Sequence, residues 1–192
     1  AGRPLMVTIT NEMRRSPSLN SSAPKPNMLL IVLDSTRADR CSCYGYERPT
    51  TPNLDGIAAE GTLFEECWSD SSWTLPVAHT IMTGLTPREH LAEHYRRLPE
   101  EIPTLSEAVQ AAGYQTLLYA GNAYLGRYAG LHRGFDRLYH ARVVRPAWRW
   151  MLRYVLAYLG LAGWGGEELT ALTLQELRRA RSPWFTVLWY ND

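Results

Sequence analysis

A short, almost wholly apolar segment that ends in a carboxylate constrains the fold of this chain more than any other stretch. Residues 28–33 are apolar without interruption, Pro26 precedes them and Asp34 follows them. A run of this length, rich in branched side chains, is typical of a β-strand buried on both faces. An acid that ends such a strand lies at the carboxyl edge of the sheet, where open α/β folds bind ligands. The alternative is that Asp34 caps the turn that follows.

The composition is that of an ordinary globular protein. The chain has 192 residues, of which 45% are hydrophobic and 20% charged, with a net charge of +1. One domain with a real core is therefore expected, and bulk charge gives no indication of a nucleic-acid or anionic-membrane partner. The three cysteines, an odd number, are interpreted as free thiols, which favours a reducing compartment. No signal peptide is visible, and a cytoplasmic location is the expectation.

Residues 1–25 are expected to form a flexible N-terminal arm, because the part from Arg14 to Lys25 is rich in Ser, Pro and Asn. Beyond this arm the predicted strands and helices alternate, which implies parallel pairing in a doubly wound α/β sheet. The predicted strands are 28–34, 62–68, 115–120, 134–139 and 184–190, and the predicted helices are 51–61, 77–84, 104–113, 146–166 and 167–180. Strand 184–190 is apolar nearly throughout and is expected to be central.

The helix predicted over 146–166 is rich in Trp, Tyr and Leu, so it must be considered as a possible membrane span. Arg149 and Arg153 interrupt it, and the longest uncharged run is well short of the roughly 20 residues that a membrane span requires. An amphipathic helix over the core is the interpretation, with interfacial membrane binding as the alternative. No transmembrane segment is therefore predicted in this chain.

Thr74 lies two residues before Pro76, where a helix is predicted to begin. One interpretation is that Thr74 is an ordinary N-cap residue. The other is chemical, because a hydroxyl at a helix N-terminus lies beside free backbone N–H groups that would bind an oxyanion. Threonine is a poor nucleophile until its hydroxyl is activated, and a metal ion held by Asp34 would activate it.

Several separate segments carry a resemblance to a known family. They are PNMLLIVLDSTRADR at 26–40, CYGY at 43–46, TTPNLD at 50–55, AAEG at 58–61, SWTLP at 72–76, TGLTP at 83–87, PTLSE at 103–107, AGYQT at 112–116 and GFD at 134–136. Together they resemble the amino-terminal half of a sulfatase-type hydrolase of the alkaline phosphatase superfamily. Residues 26–192 would then be a partial, truncated catalytic domain of an α/β/α sandwich.

The resemblance implies hydrolysis of sulfate or phosphate esters at a divalent metal, with Ca, Mn or Zn as candidates. Asp34 would ligate this metal, and Thr74 would be both the nucleophile and a metal ligand. Asn122 would contact the substrate oxyanion, with a simple turn residue as the alternative. The expected partner is a small-molecule, glycan or lipid ester of sulfate or phosphate.

The chain departs from the family pattern at several positions. Ser35 stands where many members carry a second acid, so the metal would lose a charged ligand. Thr74 replaces the Cys or Ser that true sulfatases oxidise to formylglycine, which favours phosphodiester, phosphonate-ester or phospho-group transfer chemistry. Val77 and Ala78 replace a Ser-Arg or Ser-His pair, and His79 is expected to lie off the site, about 100° round the helix.

The remaining metal ligands of the family would lie beyond Asp192, so this chain is expected to hold an incomplete site. His90, His94, His132 and His140 are possible substitutes, although each is expected to be a solvated loop histidine. Two other functions stay open beside the hydrolase. They are a phospho-group transferase that forms a covalent Thr74 intermediate, and a degenerate, non-catalytic binding domain.

Overall fold

A computed structural model describes residues 7–8, 24–92, 97–140, 155 and 166–191. These residues divide into two compact units, which are treated separately below. The first comprises the described residues within 1–26 and 35–69, and the second comprises those within 27–34 and 70–192.

The first unit is built around one helix and a minimal antiparallel strand pair. Strand β1 (Val7–Thr8) pairs with a strand at Thr62–Leu63, which is β3 in chain order. Helix α1 (Pro52–Glu60) begins with Pro52 in its first turn, where a missing N–H costs nothing. The prediction of a strand over 62–68 was wrong beyond Leu63, because the following residues continue as irregular backbone.

The second unit contains a four-stranded parallel sheet, which confirms the predicted α/β class. Its strands are β2 (Met28–Asp34), β4 (Gln115–Ala120), β5 (Arg137–His140) and β6 (Trp184–Asn191), and their order in space is β2-β6-β4-β5. Strand β6 pairs in parallel with β2 on one side and with β4 on the other. Its apolar sequence thus predicted its central position correctly.

Both faces of this sheet carry packed side chains. Alternate residues of β6, namely Phe185, Val187 and Trp189, lie in a core on one face, and Leu188 lies in a second core on the other face. Helix α2 (Thr74–Thr83) packs into the first core, and helix α5 (Gly166–Leu177) packs into the second. This alternation is the pattern expected of a strand with helices on both sides.

Two shorter α-helices also belong to the second unit. Helix α3 (Pro87–His90) opens with a capping box in which Thr86 and Glu89 exchange hydrogen bonds. Helix α4 (Leu105–Ala111) opens with a second one, formed by Thr104 and Glu107. The helix at α3 corrects the prediction of a loop there.

Strand β2 corrects another prediction, since it is not buried on both faces. The side chains of Leu29 and Ile31 are 46% and 47% exposed. Among the described residues, β2 pairs with β6 alone and forms the edge of the sheet. An unbroken apolar run therefore indicated a strand correctly but overstated its burial.

The helix predicted over 146–166 lies outside the described residues, except at Val155 and Gly166. Within the described part of the chain, no helix combines the length and the apolar character that crossing a bilayer requires.

Candidate active site

Three strand ends define the candidate site at the carboxyl edge of the parallel sheet. Asp34 ends β2 and stands in register with Asn191, which ends β6. Strand β4 ends at Ala120, and Gly121 and Asn122 follow it. The strand-end acid thus lies at the edge where ligands bind in open α/β sheets.

Helix α2 begins at this edge and brings Thr74 to Asp34. The Thr74 hydroxyl donates a hydrogen bond of 2.9 Å to Oδ2 of Asp34, across 40 residues of sequence. Thr74 is the first residue of the helix, and Trp73, which precedes it, makes no side-chain capping bond. The hydroxyl therefore faces the carboxylate instead of capping the helix. The sequence analysis predicted these two residues as a pair, and the structure brings them together.

Trp189 is a third member of the site, which the sequence analysis missed. Its indole N–H donates a hydrogen bond of 3.1 Å to the same Oδ2 atom of Asp34. Trp189 is 1% exposed on the central strand β6. A buried indole N–H needs an acceptor, and this requirement in a strand predicted to be central was the available signal.

Asn122 lies at the same sheet edge and is 8% exposed. Its Oδ1 accepts a hydrogen bond of 3.0 Å from the backbone N–H of Tyr124. This bond is the turn role that was the alternative for Asn122. Its amide Nδ2 makes no hydrogen bond with a described residue, so its donors remain available, and substrate binding by Asn122 stays a prediction.

Ser35, the residue at the position of the second family acid, adopts a left-handed backbone with φ of 63°. A non-glycine residue rarely adopts this conformation, and such residues are often found next to functional sites. The chain therefore turns sharply directly after Asp34.

His79 is directed away from the Asp34–Thr74 pair, in agreement with the prediction. It is fully buried, and its Nε2 donates a hydrogen bond of 2.9 Å to the carbonyl of Ala129. Burial lowers the pKa of His79, which keeps the ring neutral, although the Ala129 carbonyl opposes this effect. His79 therefore belongs to the core.

The prediction that His90 is a solvated loop histidine was wrong. His90 ends helix α3 and is 0% exposed. Its Nδ1 accepts a hydrogen bond of 3.2 Å from the N–H of Ala92, which places its proton on Nε2, beside the hydroxyl of Thr80. Helix α3 packs against α2, and His90 is buried there beside the ring of His79.

Among the residues that the structure describes, the other histidines proposed as substitute ligands form no metal cluster. His132 is half-buried, while His94 and the side chain of His140 lie outside what the structure describes. In the described part of the chain, no three His, Cys, Asp or Glu side chains are grouped so that they could hold a metal ion. The oxygens of Asp34 and Thr74 are the donors that lie together.

The site combines a carboxylate, a hydroxyl and the N-terminus of a ten-residue helix. The helix N-terminus provides positive potential and free N–H groups for an anion. A hydroxyl next to a proton-accepting carboxylate has the geometry of an activated nucleophile. The arrangement is thus suited to attack on a centre that carries negatively charged oxygens.

Comparison with known proteins identifies the family. A family model described as "Sulfatase" matches residues 26–192, so the chain belongs to the sulfatase family. It is 32% identical to human arylsulfatase A over 127 residues, which cover 60% of this chain and 25% of that protein. The chain thus spans about a quarter of the length of that relative.

Solved structures share the fold at lower identity. The phosphonate monoester hydrolase of Agrobacterium radiobacter aligns with a TM-score of 0.66 and 22% identity, covering 86% of this chain and 40% of that one. The C-terminal periplasmic domain of EcEptC from Escherichia coli, solved in complex with Zn, aligns with a TM-score of 0.60 and 19% identity, covering 88% and 44%. These likenesses establish an α/β fold of the sulfatase type.

Proposed function

We propose that this chain is the nucleophile-bearing part of a metal-dependent ester hydrolase, in which Thr74 attacks a phosphate, phosphonate or sulfate ester. The observation that carries the proposal is the 2.9 Å hydrogen bond from the Thr74 hydroxyl to Asp34. Family membership supports the reaction class, since the relatives include an arylsulfatase and the fold neighbours a phosphonate monoester hydrolase.

The residues present fit a divalent cation in their donor type. Asp34 and Thr74 offer oxygen atoms, the donors that hard divalent cations select. Oδ2 of Asp34 lies 2.9 Å from the Thr74 oxygen, so the carboxylate and the hydroxyl are close enough to share one cation. Asp34 and Thr74 would hold the cation together with further ligands. A cation bound there would favour the ionised form of the Thr74 hydroxyl and neutralise charge on the ester oxygens.

The chemistry of the chain's own residues proceeds in two displacements. The Thr74 hydroxyl passes its proton toward Asp34 Oδ2 while its oxygen forms a bond to phosphorus or sulfur. The bond to the leaving group breaks, and the departing oxygen takes up this proton and leaves as the alcohol. Water then attacks the same centre and the bond to Thr74 breaks. One proton of the water passes to the Thr74 oxygen and restores the hydroxyl, and the product keeps the remaining O–H. The N-terminus of α2 binds the non-reacting oxygens during both steps.

Phosphate and phosphonate esters are the preferred substrates in this proposal. The formylglycine of true sulfatases is an aldehyde, and oxidation of threonine cannot give it. A threonine hydroxyl nevertheless serves well as a nucleophile that is esterified and then hydrolysed.

The test is an ester panel assayed with the 192-residue chain. The substrates are bis-para-nitrophenyl phosphate, para-nitrophenyl phenylphosphonate and para-nitrophenyl sulfate, each with Mg²⁺, Mn²⁺, Ca²⁺ or Zn²⁺ and with EDTA. Release of para-nitrophenol is expected from the phosphorus esters, and Thr74→Ala is expected to lower it by about 10³-fold or more. Asp34→Asn is expected to abolish the dependence on the cation.

A matched control lies on the same helix. Thr83 donates its hydroxyl to the backbone carbonyl of His79, so Thr83→Ala should leave turnover unchanged. Mass spectrometry of an acid-quenched reaction should find the covalent ester on Thr74. Equal turnover in the wild type and Thr74→Ala, or a covalent ester on a residue other than Thr74, would contradict the proposal.

A further inference from the structure

The two oxygens of the Asp34 carboxylate have different surroundings. Oδ2 accepts two hydrogen bonds, one of 2.9 Å from the Thr74 hydroxyl and one of 3.1 Å from the Trp189 indole. Oδ1 accepts none from any residue in the described part of the chain. The carboxylate is thus held at one oxygen and open at the other.

The two donors also differ in how firmly they are fixed. Trp189 is 1% exposed and lies in the core on one face of the sheet. Its strand is paired on both sides, with Trp189 opposite Val32 of β2 and Ala120 of β4. An indole nitrogen only donates, so its N–H is permanently directed at Asp34. The Thr74 hydroxyl, in contrast, rotates freely about its C–O bond and accepts as well as donates.

We infer that Trp189 is a positioning residue that holds Asp34 by Oδ2, so that Oδ1 is the oxygen presented to the cation. The inference rests on the proposed function, in which the Thr74 proton leaves its hydrogen bond when the oxygen attacks. Trp189 then remains as the donor that keeps the carboxylate in place. Partners of this kind, which orient a ligand without touching the metal, typically change metal affinity by 10–100-fold.

The first test needs no metal and reads the hydrogen bond itself. The indole N–H resonance of Trp189 is assigned from through-bond NMR correlations of the isotope-labelled wild-type chain. In Asp34→Asn, which replaces the charged acceptor by a neutral amide, this resonance should shift and its exchange with solvent should accelerate about tenfold. The indole resonance of Trp184, at the other end of β6, is the control and should be unaffected.

The second test measures the affinity of the chain for Mn²⁺ by calorimetry. Trp189→Phe keeps an aromatic ring in the core but has no N–H, and it should weaken Mn²⁺ binding about 10-fold or more. Trp184→Phe should bind Mn²⁺ as the wild type does. Paramagnetic Mn²⁺ should also broaden the Trp189 indole resonance more than that of Trp184.

The outcomes separate this inference from the proposed function. An indole resonance that ignores Asp34→Asn overturns the inference, even where Trp189→Phe does not fold. Equal affinity of the wild type and Trp189→Phe for Mn²⁺ overturns it as well. A wild-type chain that binds no Mn²⁺ contradicts the proposed cation site instead.

Discussion

The imidazole rings of His79 and His90 lie 5.4 Å apart, centre to centre, and both are fully shielded from solvent. Burial is the main cause that lowers the pKa of each ring, and the neighbouring His79 lowers the pKa of His90 further. A hydrogen bond to the backbone of Pro76 and the negative charge of Asp70 oppose this lowering of the His90 pKa. Both rings are therefore neutral in the folded chain at neutral pH.

We predict that the chain loses stability as the pH falls below about 6.5, the ordinary histidine pKa. In the window between this value and the lower pKa of the folded state, the unfolded chain binds more protons, so acid favours unfolding. Urea unfolding at a series of pH values, followed by circular dichroism, measures the slope. His79→Gln keeps a donor for Ala129 but does not titrate, and it should flatten the slope.

The control for this titration is Arg88→Gln on the exposed surface of α3, which should keep the wild-type slope. His90 and the half-buried His132, whose pKa burial also lowers, should supply the slope that remains in His79→Gln. An unfolding free energy that does not change between pH 7 and pH 5 would contradict the prediction.

The Thr74–Asp34 hydrogen bond should appear as a coupling energy between the two residues. Hydrogen bonds to charged groups contribute about 1.5–3 kcal/mol. Thr74→Val, Asp34→Asn and the double variant form a double-mutant cycle. The sum of the unfolding free energies lost in the two single variants should exceed the loss in the double variant by about 1 kcal/mol or more. Denaturant unfolding of the four proteins measures this difference.

The same cycle with Thr83→Val in place of Thr74→Val is the matched control. Thr83 is on the same helix, and its hydroxyl bonds to a carbonyl of that helix. The unfolding free energies lost in Thr83→Val and in Asp34→Asn should therefore add. Additive behaviour in the Thr74 cycle would count against a hydrogen bond that persists in solution.

Gly134 and Gly84 have similar backbones but different surroundings, which makes them a matched pair. Their φ angles are 72° and 71°, and both are in the left-handed region that disfavours a side chain. A Cβ at Gly134 would overlap the backbone nitrogen of Glu107, whereas a Cβ at Gly84 would meet nothing within 4 Å. At Gly134 a side chain is therefore disfavoured both by the φ angle and by lack of space, whereas at Gly84 it is disfavoured by the φ angle alone.

We expect Gly84→Ala to lower the free energy of unfolding by about 1–2 kcal/mol, the cost of a left-handed non-glycine residue. Gly134→Ala should cost at least about 2 kcal/mol more, because the start of α4 must move to admit the methyl group. Thermal or urea unfolding of both variants measures the difference. Equal losses of unfolding free energy in the two variants would show that the backbone at Glu107 moves aside without cost.

Local pattern predicted the elements of the sheet well but not their surroundings. The segment ending at Asp34 and the strand carrying Trp189 were both predicted from apolar runs. Their adjacency depends on the register of two strands, and the hydrogen bond between them joins Asp34 and Trp189, which lie 155 positions apart in sequence. No local pattern encodes this register, so Trp189 was missed and the burial of Leu29 and Ile31 was overstated.

At the candidate site, too, local sequence predicted some features and could not predict others. The pairing of Asp34 with Thr74 was predicted because the carboxyl edge of a parallel sheet and the start of a following helix lie together. The burial of His90 was missed, although Thr86 and Glu89 have the spacing of a capping box and so signalled the short helix. Its contact with α2 is tertiary, and a helical pattern of four residues gives no information about it.

Arg133 joins two loop segments through backbone carbonyls, and this role should be specific to arginine. Its guanidinium donates to the carbonyls of Glu100 at 2.7 Å and Ile102 at 2.6 Å, while its Nε donates to that of Gly130 at 3.3 Å. Lysine has a single nitrogen and cannot reach these acceptors in a fixed fork. Arg133→Lys should therefore lower the unfolding free energy by about 1.5–3 kcal/mol.

Arg97→Lys is the control. The Arg97 side chain is 53% exposed, and its nitrogen lies 3.7 Å from the Glu100 carboxylate, which is a loose ion pair. Arg97→Lys should therefore change the unfolding free energy by less than about 0.5 kcal/mol. Urea unfolding of the two variants measures both losses, and an Arg133→Lys variant as stable as Arg97→Lys would show that the carbonyls find equivalent donors in water.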